Sequence, residues 1–270
     1  MIKKNTKNGK MIVCYPSLPG NGSKYTAVNL ADQIKKMDSG ARVGLLDLDL
    51  KSPYLAGYLS EHDQTHTIDN LIERIDGDFL DEEAVEDNLV ELKNGVELLK
   101  GTKLKDSHHF IKQEHIRQII QLFKRMFDVI VVATSHGGDA ISTTVSMLSA
   151  DHVVVVAKND FSNFKSLQRE LAFVKYYIND EESVSLVFNM FDEQSDLDFQ
   201  TILSDEKVPL LAWVPFDTST INNKNIDGGG RTGLFARLKK EDSPYDDLLS
   251  SFFPDNKKKN RGDEQVDEFN

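Results

Sequence analysis

The chain has 270 residues, 39% of them hydrophobic and 28% charged, with a formal net charge of −12 and a single cysteine. That length buries a sizeable core, and the acidic balance argues against wrapping nucleic acid, which rests on neutralising phosphates. One cysteine excludes a disulfide framework or a multi-cysteine metal centre, no apolar run approaches the roughly 18 residues of a membrane span, and the opening MIKKNTKNGK lacks the apolar segment of a secretory signal, so a reducing cytoplasm is the expected setting.

Residues 1–9 read as a flexible N-terminus, residues 10–253 as a single domain and residues 254–270 as a charged tail too poor in apolar side chains to pack. Within the domain, apolar β-rich runs alternate with helical periodicity. This is the pattern of a doubly wound α/β fold with a mostly parallel sheet and helices on both faces. A strand is expected over 10–15 and a helix over about 24–37, with a Gly- and Pro-bearing loop between them. A second strand over 41–46 ends in Asp47-Leu48-Asp49. The acidic stretch 61–91 reads as short surface helices, followed by a short strand over 96–99. A helix over 113–127 puts Ile116, Ile119, Ile120, Phe123 and Phe127 on one stripe. The runs 128–133 and 151–157 are of the fully buried strand type. A helix over 163–178 is expected to bury Phe164, Leu167, Leu171, Val174 and Ile178, and further strands fall at 183–188 and 210–214. Short helical patterns follow at 234–239 and 245–253. The second carries an acidic polar side and is expected to pack on the body rather than on a membrane.

The loop Ser17-Leu18-Pro19-Gly20-Asn21-Gly22-Ser23-Lys24-Tyr25-Thr26 lies between a strand and a helix. Free backbone N–H groups at such a place attract phosphate. Other chemistry-bearing residues read more plainly. Cys14 lies in an apolar strand and is expected to be a buried small hydrophobe. His108, His109 and His115 lack metal-ligand spacing, and His136 stands in a Gly-rich loop. Ser135 has no neighbouring base in sequence and no G-x-S-x-G elbow. Gly228-Gly229-Gly230 reads as a flexible loop and Lys257-Lys258-Lys259 as part of the solvated tail.

The run Thr26-Ala27-Val28-Asn29-Leu30-Ala31 after a Gly-x-Gly loop resembles the MinD/ParA family of deviant Walker-A ATPases, whose loop reads K-G-G-x-G-K-[ST]-[ST]. Counted back from Ala27 without a gap, the signature lysine falls on Leu18 and the glycines on Pro19, Gly20 and Gly22. The phosphate-binding lysine then falls on Ser23, the magnesium-ligating hydroxyl on Lys24, and the next position on Tyr25. A register with one extra loop residue would instead put Lys24 in the phosphate-lysine role. Asp47-Leu48-Asp49-Leu50-Lys51-Ser52-Pro53 is similar to the family's D-x-D-x-x-x-P segment, and 94–101 to the short strand ending in glycine that follows it. Residues 127–134 resemble the Walker-B run, with Ala133 where its closing carboxylate belongs. Asn189 and Pro215 resemble the two places that border the adenine.

The resemblance implies a P-loop domain whose nucleotide-side residues are Gly20, Asn21, Gly22, Ser23, Lys24, Tyr25, Asp47, Asp49, Asn189 and Pro215. Asp49 stands as a relic of the switch carboxylate, and no residue is assigned to catalysis or to a metal. ATP or ADP binding, with or without Mg²⁺, and an empty site are both open. With the oriented charges of phosphoryl transfer replaced, little or no hydrolysis is expected. The function implied is a localisation or assembly factor, nearest in kind to the TadZ/CpaE pilus-assembly and positioning proteins. Its partners would be proteins of that machine and a second copy of itself, with recruitment to a membrane complex through them. An active ATPase with a nucleotide-controlled dimer cycle is the alternative. A capsule-type kinase activator is a third reading, against which stands the absence of a tyrosine cluster near the C-terminus. Lys24 would sit at a helix start, where the dipole disfavours a cation. It is therefore expected to pair with Asp49 across the magnesium position, or else to reach a bound phosphate.

Overall fold

The computed structural model describes residues 8–59, 65–178, 183–191 and 194–215. The expectations for the extreme N-terminus, for the glycine triplet, for the helical patterns at 234–239 and 245–253 and for the tail lie outside these residues.

The three central strands, β1 (Lys10–Pro16), β5 (Val129–Thr134) and β6 (His152–Ala157), are mostly apolar, β5 and β6 being runs of Val, Ile and Ala and β1 adding Met11, Cys14 and Tyr15. Buried on both faces, they carry no polar alternation, as parallel strands under two helix layers require. With β2 (Val43–Leu48), β3 (Val90–Glu91), β4 (Glu97–Leu99), β7 (Val184–Phe191) and β8 (Leu210–Pro215) they form an eight-stranded sheet of order β3-β4-β2-β5-β1-β6-β7-β8. Every pairing is parallel except the short antiparallel β3–β4 pair.

One face of the sheet is covered by α1 (Ser23–Met37), whose Ala27, Val28, Leu30, Ala31 and Ile34 pack on Ile12, Cys14, Val131 and Val154. The short α2 (Leu55–Tyr58) adds Leu55 to this layer. The opposite face carries α3 (Ile68–Asp76), α4 (Glu82–Glu86), α5 (Gln113–Met126), α6 (Ile141–Ser149), α7 (Phe161–Tyr177) and α8 (Phe199–Glu206). The expected stripe of α5 is buried along its whole length, Phe127 included, although the helix itself stops at Met126. Cys14 is fully buried, and burial pushes its thiol well above the usual range.

Three differences from the sequence expectation have physical causes. β2 runs two residues later than expected because its ladder with β5 extends to Leu48 opposite Thr134, which puts Asp47 inside the strand and opposite Ala133. α7 starts two residues earlier because the Asp160 carboxylate caps it, accepting from the Asn163 N–H at 2.9 Å; Phe164 then lies only half-buried against the core. α2, α6, α8 and β3 are additional elements. α6 reads ISTTVSMLS, a poor helix former by propensity, and its Ser142 and Thr143 hydroxyls are satisfied by Leu48 O and Ser135 O.

Candidate functional site

β1 lies at the centre of the sheet, and the loop after it opens where ligands bind in doubly wound sheets, at the C-terminal ends of the strands. Pro19 and Gly20 are the middle residues of a turn closed by the Asn21 N–H on Leu18 O at 3.3 Å, and Gly20 has φ 81°. Gly22, at φ 91°, is the N-cap of α1. The two glycines are needed for different reasons. A Cβ on Gly20 would meet nothing within 4 Å, whereas one on Gly22 would lie 2.0 Å from Nδ2 of Asn189.

Buried amides stitch this loop to the sheet and to α7. Asn21 donates through Nδ2 to Ser17 Oγ at 2.8 Å and to Asn163 Oδ1 at 2.7 Å, and Ser17 Oγ donates to the same Asn163 oxygen at 2.7 Å. Asn163 in turn donates to the capping Asp160 at 2.9 Å. From β7, Asn189 donates to Asn21 O at 2.8 Å. The loop backbone therefore spends part of its hydrogen-bonding capacity on its own protein.

Lys24 forms an ion pair and hydrogen bond with Oδ2 of Asp49, and the side chains are only 12% and 14% exposed. The other oxygen of Asp49 accepts from Ser135 Oγ at 2.6 Å. Asp49 thus joins α1 to the β5–α6 loop. Asp47 is buried in β2; its Oδ2 accepts from the Leu55 N–H at 2.9 Å, and its Oδ1 has no hydrogen-bond partner. Burial pushes this carboxyl up to about 7, against the pull of Lys24 and of the Leu55 N–H. Ser23 is buried as the first residue of α1, and Tyr25 is half-buried. Pro215 ends β8 opposite Phe191, one strand beyond the one that carries Asn189.

The β5–α6 loop is held at two further points. Lys51 and Asp139 pair at 2.5 Å, which keeps the Asp139 carboxyl below the usual carboxylate range. His136 Nε2 lies 3.3 Å from Oε2 of the buried Glu170, the oxygen that also takes the Tyr15 hydroxyl at 2.8 Å. The structure therefore brings Gly20, Asn21, Gly22, Ser23, Lys24, Tyr25, Asp47, Asp49 and Asn189 around one loop. It adds Ser17, Ser135 and Asn163. Ser135 has a signal in the sequence, its position directly after the β5 strand, but a search for a nucleophile and its base does not detect a hydroxyl whose role is to hold a carboxylate. Asn163 is separated from Asn21 by 142 residues and has no local signal. Among the described residues no group of three or more His, Cys, Asp or Glu side chains could hold a metal ion, and no helix is long and apolar enough to cross a membrane.

No protein-family model matches the sequence. No curated protein matches it either. Solved structures do match. A ParA family ATPase from Chlorobium tepidum superposes with a TM-score of 0.71 at 15% identity, over 84% of this chain and 95% of that one. The cell division ATPase MinD from Pyrococcus furiosus gives 0.68 at 18% identity, over 93% and 99%. The septum site-determining protein MinD from Pyrococcus horikoshii, complexed with Mg-ADP, gives 0.62 at 19% identity, over 77% and 82%. The chain has the MinD/ParA fold. Within that fold the loop after β1, the end of β2 and the loop after β5 meet at one place, and in this chain Lys24, Asp49 and Ser135 join the three directly.

Proposed function

We propose that this protein is a localisation or assembly factor on a MinD/ParA fold that works without Mg²⁺-dependent ATP hydrolysis. The observation that carries the reading is the ion pair of Lys24 with Asp49, further held by Ser135. In phosphoryl transfer the protein supplies position and positive charge, and Mg²⁺ neutralises the phosphates from an oxygen-rich site. The donor set here does not fit that ion. An ammonium stands at the hydroxyl position and is already paired with Asp49. Ala133, fully buried opposite Asp47 and Cys14, stands at the carboxylate position. Ser23 brings no charge where a lysine would meet the phosphates. The ammonium instead supplies the positive charge in place, and Asp49 ties the loops together with no nucleotide required. By this reading the protein presents a fixed surface to the proteins of a positioning or pilus-assembly machine of the TadZ/CpaE kind.

A steady-state assay with Mg-ATP tests the catalytic half of the reading. The expected rate equals the background without protein. A rate well above background that is abolished by Gly22→Val would overturn it and favour the alternative, an ATPase with a nucleotide-controlled dimer cycle.

A further inference from the structure

We propose that the face built by α3, α4 and the turn before α5 is a docking surface for a basic amphipathic helix of a partner protein. The face belongs to the helix layer in which α3 and α4 share a core with α5, and the inference does not rest on the reading of the glycine loop. Three large apolar side chains stand out there: Phe79 is 71% exposed, Leu104 70% and Phe110 81%. None of them packs into the core, so the fold itself gives no reason for their size.

Their placement is set by the segment leading into α5, which runs alongside α3. At its start the Lys103 N–H donates to Asp69 Oδ2 at 2.7 Å and Lys103 Nζ to Asn70 Oδ1 at 3.3 Å. At its end Lys112 Nζ and His115 Nε2 reach Asp76 Oδ1 at 3.5 and 3.1 Å. Leu104 directly follows the residue anchored to the first turn of α3, and Phe110 comes two residues before the lysine anchored to its last. Phe79 follows just beyond, with its N–H on Arg74 O at 2.9 Å and its ring against Gly77. The nine residues of α3 span about 13 Å at ~1.5 Å per residue. A partner helix that offers apolar anchors at i, i+3 or i+4 and i+7 covers such a length.

Charge selects the chemistry of the partner. Residues 65–91 carry ten carboxylates and one arginine, and residues 103–112 add Lys103, Lys105 and Lys112 against Asp106, so the two segments together keep a formal charge of −7; Glu73, Asp76, Asp78, Asp81, Glu82 and Glu83 are exposed. An anionic lipid surface would be repelled by this face. A polycation without apolar anchors would leave the three apolar side chains unused. A helix with a leucine stripe flanked by lysine or arginine satisfies both features.

The test uses the full chain and a fluorescein-labelled amphipathic Leu/Lys peptide of about 14 residues, read by fluorescence anisotropy. Saturable binding is expected, and a scrambled peptide of the same composition should bind at least ~10-fold more weakly. The double variant Phe79→Ser/Phe110→Ser should lose at least ~10-fold in affinity, with its circular dichroism unchanged because both side chains are exposed. Glu73→Lys/Glu83→Lys should also weaken binding and flatten its salt dependence. Equal affinity for the scrambled peptide, wild-type affinity in the Phe79/Phe110 variant, or no saturable binding would each overturn the proposal.

Discussion

The ammonium of Lys24 sits in the first turn of α1, where the helix dipole disfavours a cation, and the carboxylate of Asp49 offsets that cost directly. This pairing is legible in the sequence through the resemblance, because in the MinD/ParA geometry the carboxylates at the end of the second strand face the loop that starts α1. The state of Asp47 is not legible, because it depends on β2 extending past the expected end and burying the residue. Its consequence is a pH dependence. The folded chain holds the Asp47 proton up to about pH 7, whereas the unfolded chain releases it near the ordinary value of 3.8. Stability contributed this way is fully present below the unfolded value and is lost as pH rises through the folded one. Each pKa unit corresponds to about 1.4 kcal/mol, so the loss is on the order of a few kcal/mol. Urea denaturation at pH 5 and pH 8 should show a smaller drop for Asp47→Asn than for the wild type. Equal drops would mean that Asp47 is ionised in the folded protein across this range.

At the scale of elements, the central strands and the long helices α1, α5 and α7 are readable because apolar periodicity and burial agree along them. α6 is not, since its Ser and Thr residues disguise a helix that the sheet beneath it stabilises. α8 is short and marked mainly by the Asp198 cap, which accepts from the Thr201 N–H. The glycine loop is an element of the same kind: its place is evident from Gly20 and Gly22, but its attachment to β7 through Asn189 is a tertiary fact. The two glycines should therefore respond differently to substitution. Gly20→Ala meets only the backbone cost of a left-handed conformation, about 1–2 kcal/mol. Gly22→Ala has the same cost and also drives Cβ into Asn189. Chemical denaturation should rank Gly22→Ala as the more destabilising, and Asn189→Ala should restore part of its loss in the double variant. Equal costs for the two glycines, with no rescue, would contradict the close packing of loop against β7.

At the scale of the whole molecule, the sheet order places the loop after β1 beside the ends of β2 and β5, and the side chains there hold one another: Lys24 with Asp49, Ser135 with Asp49, Lys51 with Asp139. The topology follows from the alternation of apolar runs and helices. That these loops are joined by protein side chains follows from single residues, Lys24, Asp49 and Ser135. The proposed docking face of α3 and α4 shares no residue with the central loop, so binding there and the state of that loop can be measured separately. The central claim is that the Lys24 ammonium replaces the metal. Isothermal titration calorimetry with ATP, with and without Mg²⁺, tests it most directly when the wild type is compared with the folded triple variant Ser23→Lys/Lys24→Thr/Ala133→Asp. The account predicts no tightening by Mg²⁺ in the wild type and Mg²⁺-dependent ATP binding in the triple variant. Mg²⁺-dependent binding by the wild type, or its absence from the triple variant, would contradict it.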